Sequence, residues 1–246
     1  MKLPRMPHRW DLSPKQAIRL QRRLAGRVRE LPLRKPLRHV AGGDVSFTMD
    51  ETRLIAGWVV WDLMAGEVVE SVVTTRPIRF PYVPGLLSFR EAPAMIAAAR
   101  KLHVEPDVFM LDGQGLAHPR RFGLACHVGM LLDRPTLGCA KSRLCGEHGE
   151  PAATAGSACL LMHEGECVGS VLRTRDGTKP VFVSIGYRIT LPEAVRVVLS
   201  CCTKYRLPEP TRLAHQLVTR WRAETGGSNE RHSATRTASP PAQACT

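Results

Sequence analysis

HVAGGDVSF at 39–47, LIAGWVVWDL at 54–63 and EVVESVVTTR at 67–76 are three runs rich in Val, Ile, Thr and Trp. The short stretches between them, MDET and MAG, carry turn residues. Runs of this composition at hairpin spacing predict an antiparallel meander of three strands. The rhythm then changes. SFREAPAMIAAARKL predicts a helix over 88–102, PDVFMLDG at 106–113 an apolar strand, 119–132 a second helix, and PTLGCAK at 135–141 a short strand. After a turn-rich stretch, VGSVLRT at 168–174 and PVFVSIG at 180–186 read as another hairpin, and helices over 191–203 and 209–222 follow. Three hairpin strands succeeded by strand–helix alternation predict a mixed α/β sheet in a single domain, here 1–223.

Upstream, Ser13 is placed to cap a helix over 13–30 with Pro14 in its first position. Ala17, Leu20, Leu24, Val28 and Leu31 recur along one side of it, and Arg19, Arg22, Arg23 and Arg27 lie on the other. That basic side suits either a solvated face or contact with phosphates. The segment 224–246 is polar and rich in Ser, Thr and Pro, and disorder is expected there.

Charge is concentrated at the ends. Of the formal +13, residues 1–39 carry +10, residues 204–246 carry +4, and the middle is near neutral at −1. A near-neutral core with basic extensions suits docking on a polyanion, with acids kept for chemistry. No stretch reaches the roughly 20 apolar residues of a membrane span, and the basic N-terminus has no apolar run behind it. No membrane association and a cytoplasmic address are therefore expected. The eight cysteines show no C-x-x-C spacing, which disfavours a zinc ribbon, so reduced and mostly buried thiols are expected.

Two carboxylates stand out by position. Asp44 interrupts the first strand run and Asp112 ends the apolar strand. Ionised groups beside so much apolar sequence need hydrogen bonds or a cation to offset desolvation. If the two strands are neighbours, both aspartates can bind one divalent ion, and oxygen ligands select a hard one, Mg²⁺ or Mn²⁺. Either Asp alone would more often be a turn or strand-end cap. Glu91 adds a third acid near a helix start, Lys141 closes a strand, and His118 and His215 are within reach of supporting roles. The segment FPYVPGLLSFRE at 80–91 is stiffened by Pro81 and Pro84 and presents Tyr82, a plausible wedge or an ordinary loop. Gly113 and Gly115 punctuate a loop where backbone can approach a ligand closely.

PYVPG-x₃-FRE at 81–91 followed by DG-x-G-x-AHPRR-x-G at 112–123 is a specific combination, and it resembles endonuclease V. VAGGDVSF at 40–47, GCAKSRL at 138–144 and PVFVSIGYRITLPEAV at 180–195 extend the resemblance over about 10–222. It implies a ribonuclease-H-like fold, a mixed central β-sheet with helices on both faces. It also implies a nuclease cutting the second phosphodiester bond 3′ to hypoxanthine, in DNA with deoxyinosine or in RNA with inosine, and leaving 3′-hydroxyl and 5′-phosphate ends. On the matching positions, Asp44, Asp112 and Glu91 become the metal site for Mg²⁺, with Mn²⁺ as a substitute. Lys141 would stabilise charge at the scissile phosphate and His215 would support the metal site. Tyr82 becomes the wedge; Leu87, Arg90, Gly113, Gly115, His118 and Leu144 would contact the lesion or its strand. A monomer is expected. The resemblance departs at Tyr187, where many members carry His, and it does not cover the tail. Two other readings share these residues: a ribonuclease-H-like nuclease of a different specificity, and a binding protein of the same fold without catalysis.

Overall fold

The computed structural model describes residue 4 and residues 8–233, with side chains through residue 225 of the last helix. The three opening runs form β1 (His39–Phe47), β2 (Arg53–Asp62) and β3 (Glu67–Pro77), paired antiparallel as the meander predicts. β4 (Val108–Leu111) and β5 (Thr136–Ala140) continue the sheet parallel to β1, because each follows a helix that carries the chain back along the sheet. β6 (Ala158–His163), β7 (Glu166–Leu172) and β8 (Val181–Tyr187) complete it antiparallel, in the order β3-β2-β1-β4-β5-β8-β7-β6. The expected hairpin is the β7–β8 pair; β6 was hidden in the stretch read as turns. It is an edge strand with an exposed or half-buried side chain at every position but Leu161, and its ACLLMH lacks the β-branched residues that mark the other edge, β3.

Helices cover both faces. α2 (Leu87–Ala99) and α3 (Leu124–Leu132) pack on the side of Ala41, Phe109 and Leu111. α4 (Leu191–Ser200) packs on the side of Val40, Val108 and Met110. α5 (Glu209–Ser233) lies on that second side across β1 and β2, where Gly57 faces Val218. α1 (Pro14–Ala25) lays Ala17, Leu20 and Leu24 on Phe89, Phe122 and Cys126, and its predicted Ser13 cap accepts from the Gln16 amide.

α3 begins at Leu124 rather than 119, because Arg121 takes a left-handed backbone and Gly123 fits against the Gln114 carbonyl. α5 runs past 222: the backbone of 224–233 continues the helix where disorder was expected, propagated from its packed first turns with no proline to stop it. The remainder of that expectation, 234–246, lies outside the described residues. No helix among the described residues is long and apolar enough to cross a membrane. The seven described cysteines are free; Cys126, Cys139 and Cys201 are buried and the other four are at least partly accessible, fewer buried than expected, while Cys245 falls outside.

Candidate active site

β1 and β4 run parallel with Gly43 opposite Leu111, so the next step along the ladder sets Asp44 beside Asp112. The Asp112 amide donates to the Gly43 carbonyl, 3.3 Å, carrying the pairing past the end of β4. Residues that pair in a parallel ladder point to one face, which here is the face covered by α5. The contact with that helix is close. A Cβ on Gly42 would sit 2.1 Å from the Pro210 carbonyl carbon, so only glycine lets the first turn of α5 cross β1 there. One turn later, His215 Nδ1 lies 2.7 Å from Asp44 Oδ2. Asp44 Oδ1 accepts from the Val45 amide, 2.8 Å.

Glu91 arrives from the opposite side of the sheet. Trp58 is fully buried and its indole N–H donates to the Met95 carbonyl, 2.9 Å, fixing α2 on β2. That docking buries Glu91 at 9% exposure within electrostatic reach of both aspartates. Burial, first, and the charges of Asp44 and Asp112 push the Glu91 carboxyl up to about 8. Asp44 is also raised, mainly by burial and then by Asp112, against the opposing hydrogen bond from His215. Lys141, one residue past β5, places Nζ 2.5 Å from Asp112 Oδ2. Thus the structure brings together all five residues expected to carry the chemistry.

Each aspartate is held by a side-chain partner, Asp112 by Lys141 and Asp44 by His215. No group of three or more His, Cys, Asp or Glu side chains among the described residues is placed so that it could hold a metal ion as it stands. The donor chemistry still suits a hard divalent cation: Asp44, Asp112 and Glu91 are oxygen donors within electrostatic reach of one another, and Asp44 and Glu91 are raised by burial and by the charge of neighbouring aspartates. A cation relieves that repulsion.

Beside the acids lies a cavity of about 370 Å³. Asp112 and Lys141 form its inner edge, with Gly113, Gln114, His118 and Leu124 on one wall and Gly85, Leu87 and Ser88 on the other. Tyr82 stands at its rim and is 68% exposed, not half-buried as in an ordinary proline-stiffened loop. Leu87 and Leu144 are also exposed there. The loop behind Tyr82 is anchored at one atom: the Gly85 carbonyl accepts from Gln21 Nε2 (3.0 Å), His118 Nε2 (3.1 Å) and Arg120 Nη2 (2.7 Å). Gly85 itself has φ +76° and lies under the Arg120 guanidinium, so a side chain there would meet both strain and a clash.

Several expected contacts take a different form. His118 accepts the Arg120 amide at Nδ1 (3.0 Å) and uses Nε2 on Gly85, so both ring nitrogens hold loops together. Burial lowers its pKa to about 4 and keeps the ring neutral. Gly115 is not among the residues lining the cavity; its missing side chain makes room for the Ile185 carbonyl, 2.0 Å from where a Cβ would be. Arg90 points away from the cavity, over the Phe47 ring and onto the Phe80 carbonyl. Tyr187 is buried at the other end of β5, paired with Thr136 and remote from the acids.

Two residues were missed. Gln21 is 1% exposed and ties the Gly85 carbonyl to that of Phe122; a lone amide on the apolar stripe of a helix was the available signal. Gln114 lines the cavity and donates to the Ser142 carbonyl, 2.9 Å, while its Oε1 is enclosed with no hydrogen-bond partner among the described residues.

A family model described as Endonuclease V matches residues 22–216. An endonuclease V of Trichormus variabilis is 48% identical over 213 residues, covering 86% of this chain and 96% of that protein. The crystal structure of endonuclease V from Streptomyces avermitilis superposes with a TM-score of 0.84 at 40% identity, covering 89% of this chain and 97% of that one. The Ciona intestinalis endonuclease V, solved in complex with a 24mer DNA containing an inosine followed by a ribo-adenosine, superposes at 0.72 with 26% identity, covering 85% and 97%. The mixed eight-stranded sheet with helices on both faces is the ribonuclease-H-like fold these structures share.

Proposed function

The chain belongs to the endonuclease V family of nucleases, and from that premise we propose that it hydrolyses nucleic-acid strands at hypoxanthine, cutting the second phosphodiester bond on the 3′ side. The observation that carries this reading is the adjacency of three functions: the acids Asp44, Glu91 and Asp112, the cation Lys141, and a cavity with an exposed aromatic at its rim. The family relative bound to inosine-containing DNA supports the same class of substrate.

A hypoxanthine that pairs poorly is cheaper to extrude than a well-paired base. The cavity beside Asp112 is of a size to receive it, and Tyr82 is placed to fill the gap left in the stack. Because Gly85 is anchored by three donors, the loop presents Tyr82 without a prior ordering cost. The backbone of 112–114 offers polar edges for the base.

A hard divalent cation, Mg²⁺ with Mn²⁺ as a substitute, would be held by Asp44, Asp112 and Glu91 and would supply activation of the attacking water. Lys141 stabilises the negative charge that grows on the scissile phosphate. His215 holds Asp44 in place from α5. Water adds to phosphorus, the P–O3′ bond breaks, and the leaving oxygen takes a proton, giving 3′-hydroxyl and 5′-phosphate ends.

The test uses end-labelled single-stranded and duplex DNA with one deoxyinosine, matched unmodified strands, and RNA with one inosine. Each is incubated with Mg²⁺, with EDTA, and with the Asp44→Ala protein. The expected result is one metal-dependent cut, one nucleotide beyond the lesion, absent from Asp44→Ala and from unmodified strands. Equal cutting of unmodified strands would point instead to a nuclease of other specificity; tight binding without any cut would overturn catalysis.

A further inference from the structure

The first two turns of α2 divide their side chains between two cavities. Leu87 and Ser88 face the cavity beside Asp112, whereas Phe89, Arg90, Pro93 and Ala94 face a second one of about 260 Å³ between α2, the end of β3 and Trp10. Four arginines line this second cavity, Arg76, Arg79, Arg90 and Arg100, and no acid does. None of the four forms an ion pair among the described residues; Arg76, Arg79 and Arg100 are exposed and Arg90 is half-buried. Arg90 is constrained most: Nη1 donates to the Phe80 carbonyl, 3.1 Å, the guanidinium lies over Phe47, and its enclosed Nε has no hydrogen-bond partner. Phe80, Phe89 and Trp10 make the remaining wall apolar, which lowers the local dielectric and strengthens attraction for an anion.

Four like charges around one cavity whose lining contains no acid raise its positive potential and favour an anion there. Arginine, with its planar fork of donors, matches phosphate oxygens. Arg90 precedes Glu91 on α2, and Leu87 and Ser88 of the same helix line the other cavity, so the first turns of α2 carry residues of both cavities and of the acidic centre. We propose that this cavity is a phosphate subsite for the nucleic-acid strand, holding the backbone beyond the scissile bond while the base occupies the cavity beside Asp112. The subsite rests on the nuclease reading for its direction along the strand, but its binding of a strand phosphate is testable without any lesion.

The experiment compares the intact protein with the triple variant Arg76→Gln/Arg79→Gln/Arg100→Gln; Arg90 is left alone because it packs beside Glu91. Binding of an unmodified single strand is measured by fluorescence anisotropy across a salt series in EDTA. Loss of three phosphate contacts should weaken binding at least about tenfold and reduce the slope of log affinity against log salt by about 2, at roughly 0.7 per contact. The Arg→Lys triple variant should recover most of the affinity, and thermal unfolding should show all three proteins folded. On deoxyinosine strands shortened from one end at a time, one series only, the one that removes the 3′ flank, should erase the difference between intact and variant protein. An unchanged salt slope overturns the subsite. So does a difference that survives shortening from both ends, or calorimetric binding of inorganic phosphate that the variant loses while strand binding stays intact. Absence of any deoxyinosine preference in the intact protein would count against the nuclease reading alone, since the salt slope on unmodified strand does not depend on it.

Discussion

Glu91 joins burial to two like-charged neighbours, and both effects favour its protonated form. With its folded pKa at about 8, above the ordinary value of 4.5, the folded state holds a proton that the unfolded chain has released. Stability from this group is therefore complete below about pH 4.5 and is lost as pH rises towards 8. In EDTA, the unfolding temperature of the intact protein should fall over this window. In Glu91→Gln, which has no proton to lose, the fall should be much smaller; equal slopes for the two proteins would show that Glu91 ionises normally. Lys141 makes a different demand. It sits 2.5 Å from Asp112, and removing its charge should slow cleavage by about 10²–10³-fold, the usual loss for one preorganised electrostatic contact. Single-turnover rates for Lys141→Ala at saturating protein would check this, and strand affinity should change far less.

At the scale of elements, the site depends on how α5 crosses β1. A methyl group on Gly42 would meet the backbone of Pro210, which cannot move aside as a side chain can. Gly42→Ala should destabilise the fold by about 1–3 kcal/mol, a fall of several degrees in Tm. It should also loosen the His215–Asp44 contact. Thermal unfolding together with cleavage rates would separate the two effects; an unchanged Tm would mean the crossing is more pliant than its 2.1 Å approach implies. The Tyr82 loop is the second element on which function turns. Tyr82→Ala should weaken binding of deoxyinosine duplex by about 1–3 kcal/mol, the range for an aromatic stacking on a base, and should leave binding of unmodified single strands nearly intact. Competition binding with the two ligands measures the difference directly.

For the whole molecule, the fold places both cavities and the acids around the first turns of α2, with the basic α1 packed beside the Tyr82 loop. Val218 is the last buried residue of α5 among those whose side chains are described, and the family model ends at residue 216. A chain ended at Thr225 should cut deoxyinosine strands within about twofold of the full chain, and a larger loss would assign the tail a role in binding the strand.

What the sequence by itself determined is the part governed by local rules. Alternating β-rich runs and turn residues specified the meander, and helical spacing located all five helices, although α1 ends at Ala25 rather than 30, α3 starts at Leu124 rather than 119 and α5 runs beyond 222. The resemblance carried by VAGGDVSF, PYVPG-x₃-FRE, DG-x-G-x-AHPRR-x-G and GCAKSRL pointed to Asp44, Glu91, Asp112, Lys141 and Tyr82 as candidates. Tertiary structure decided everything that rests on distance between remote segments. Asp44 and Asp112 are neighbours only because β4 returns parallel to β1. His118 and Gly115 serve loop anchoring and close packing because other backbones arrive against them. β6 escaped detection because its ACLLMH carries no β-branched residue, whereas β3, the other edge strand, is rich in Val and Thr. Arg76, Arg79, Arg90 and Arg100, unremarkable one by one in the chain, form a single positive cavity because β3, the loop after it and α2 meet there. Spacing along a chain encodes hydrogen-bonded geometry over a few residues; charge and cavities depend on which surfaces the core brings together.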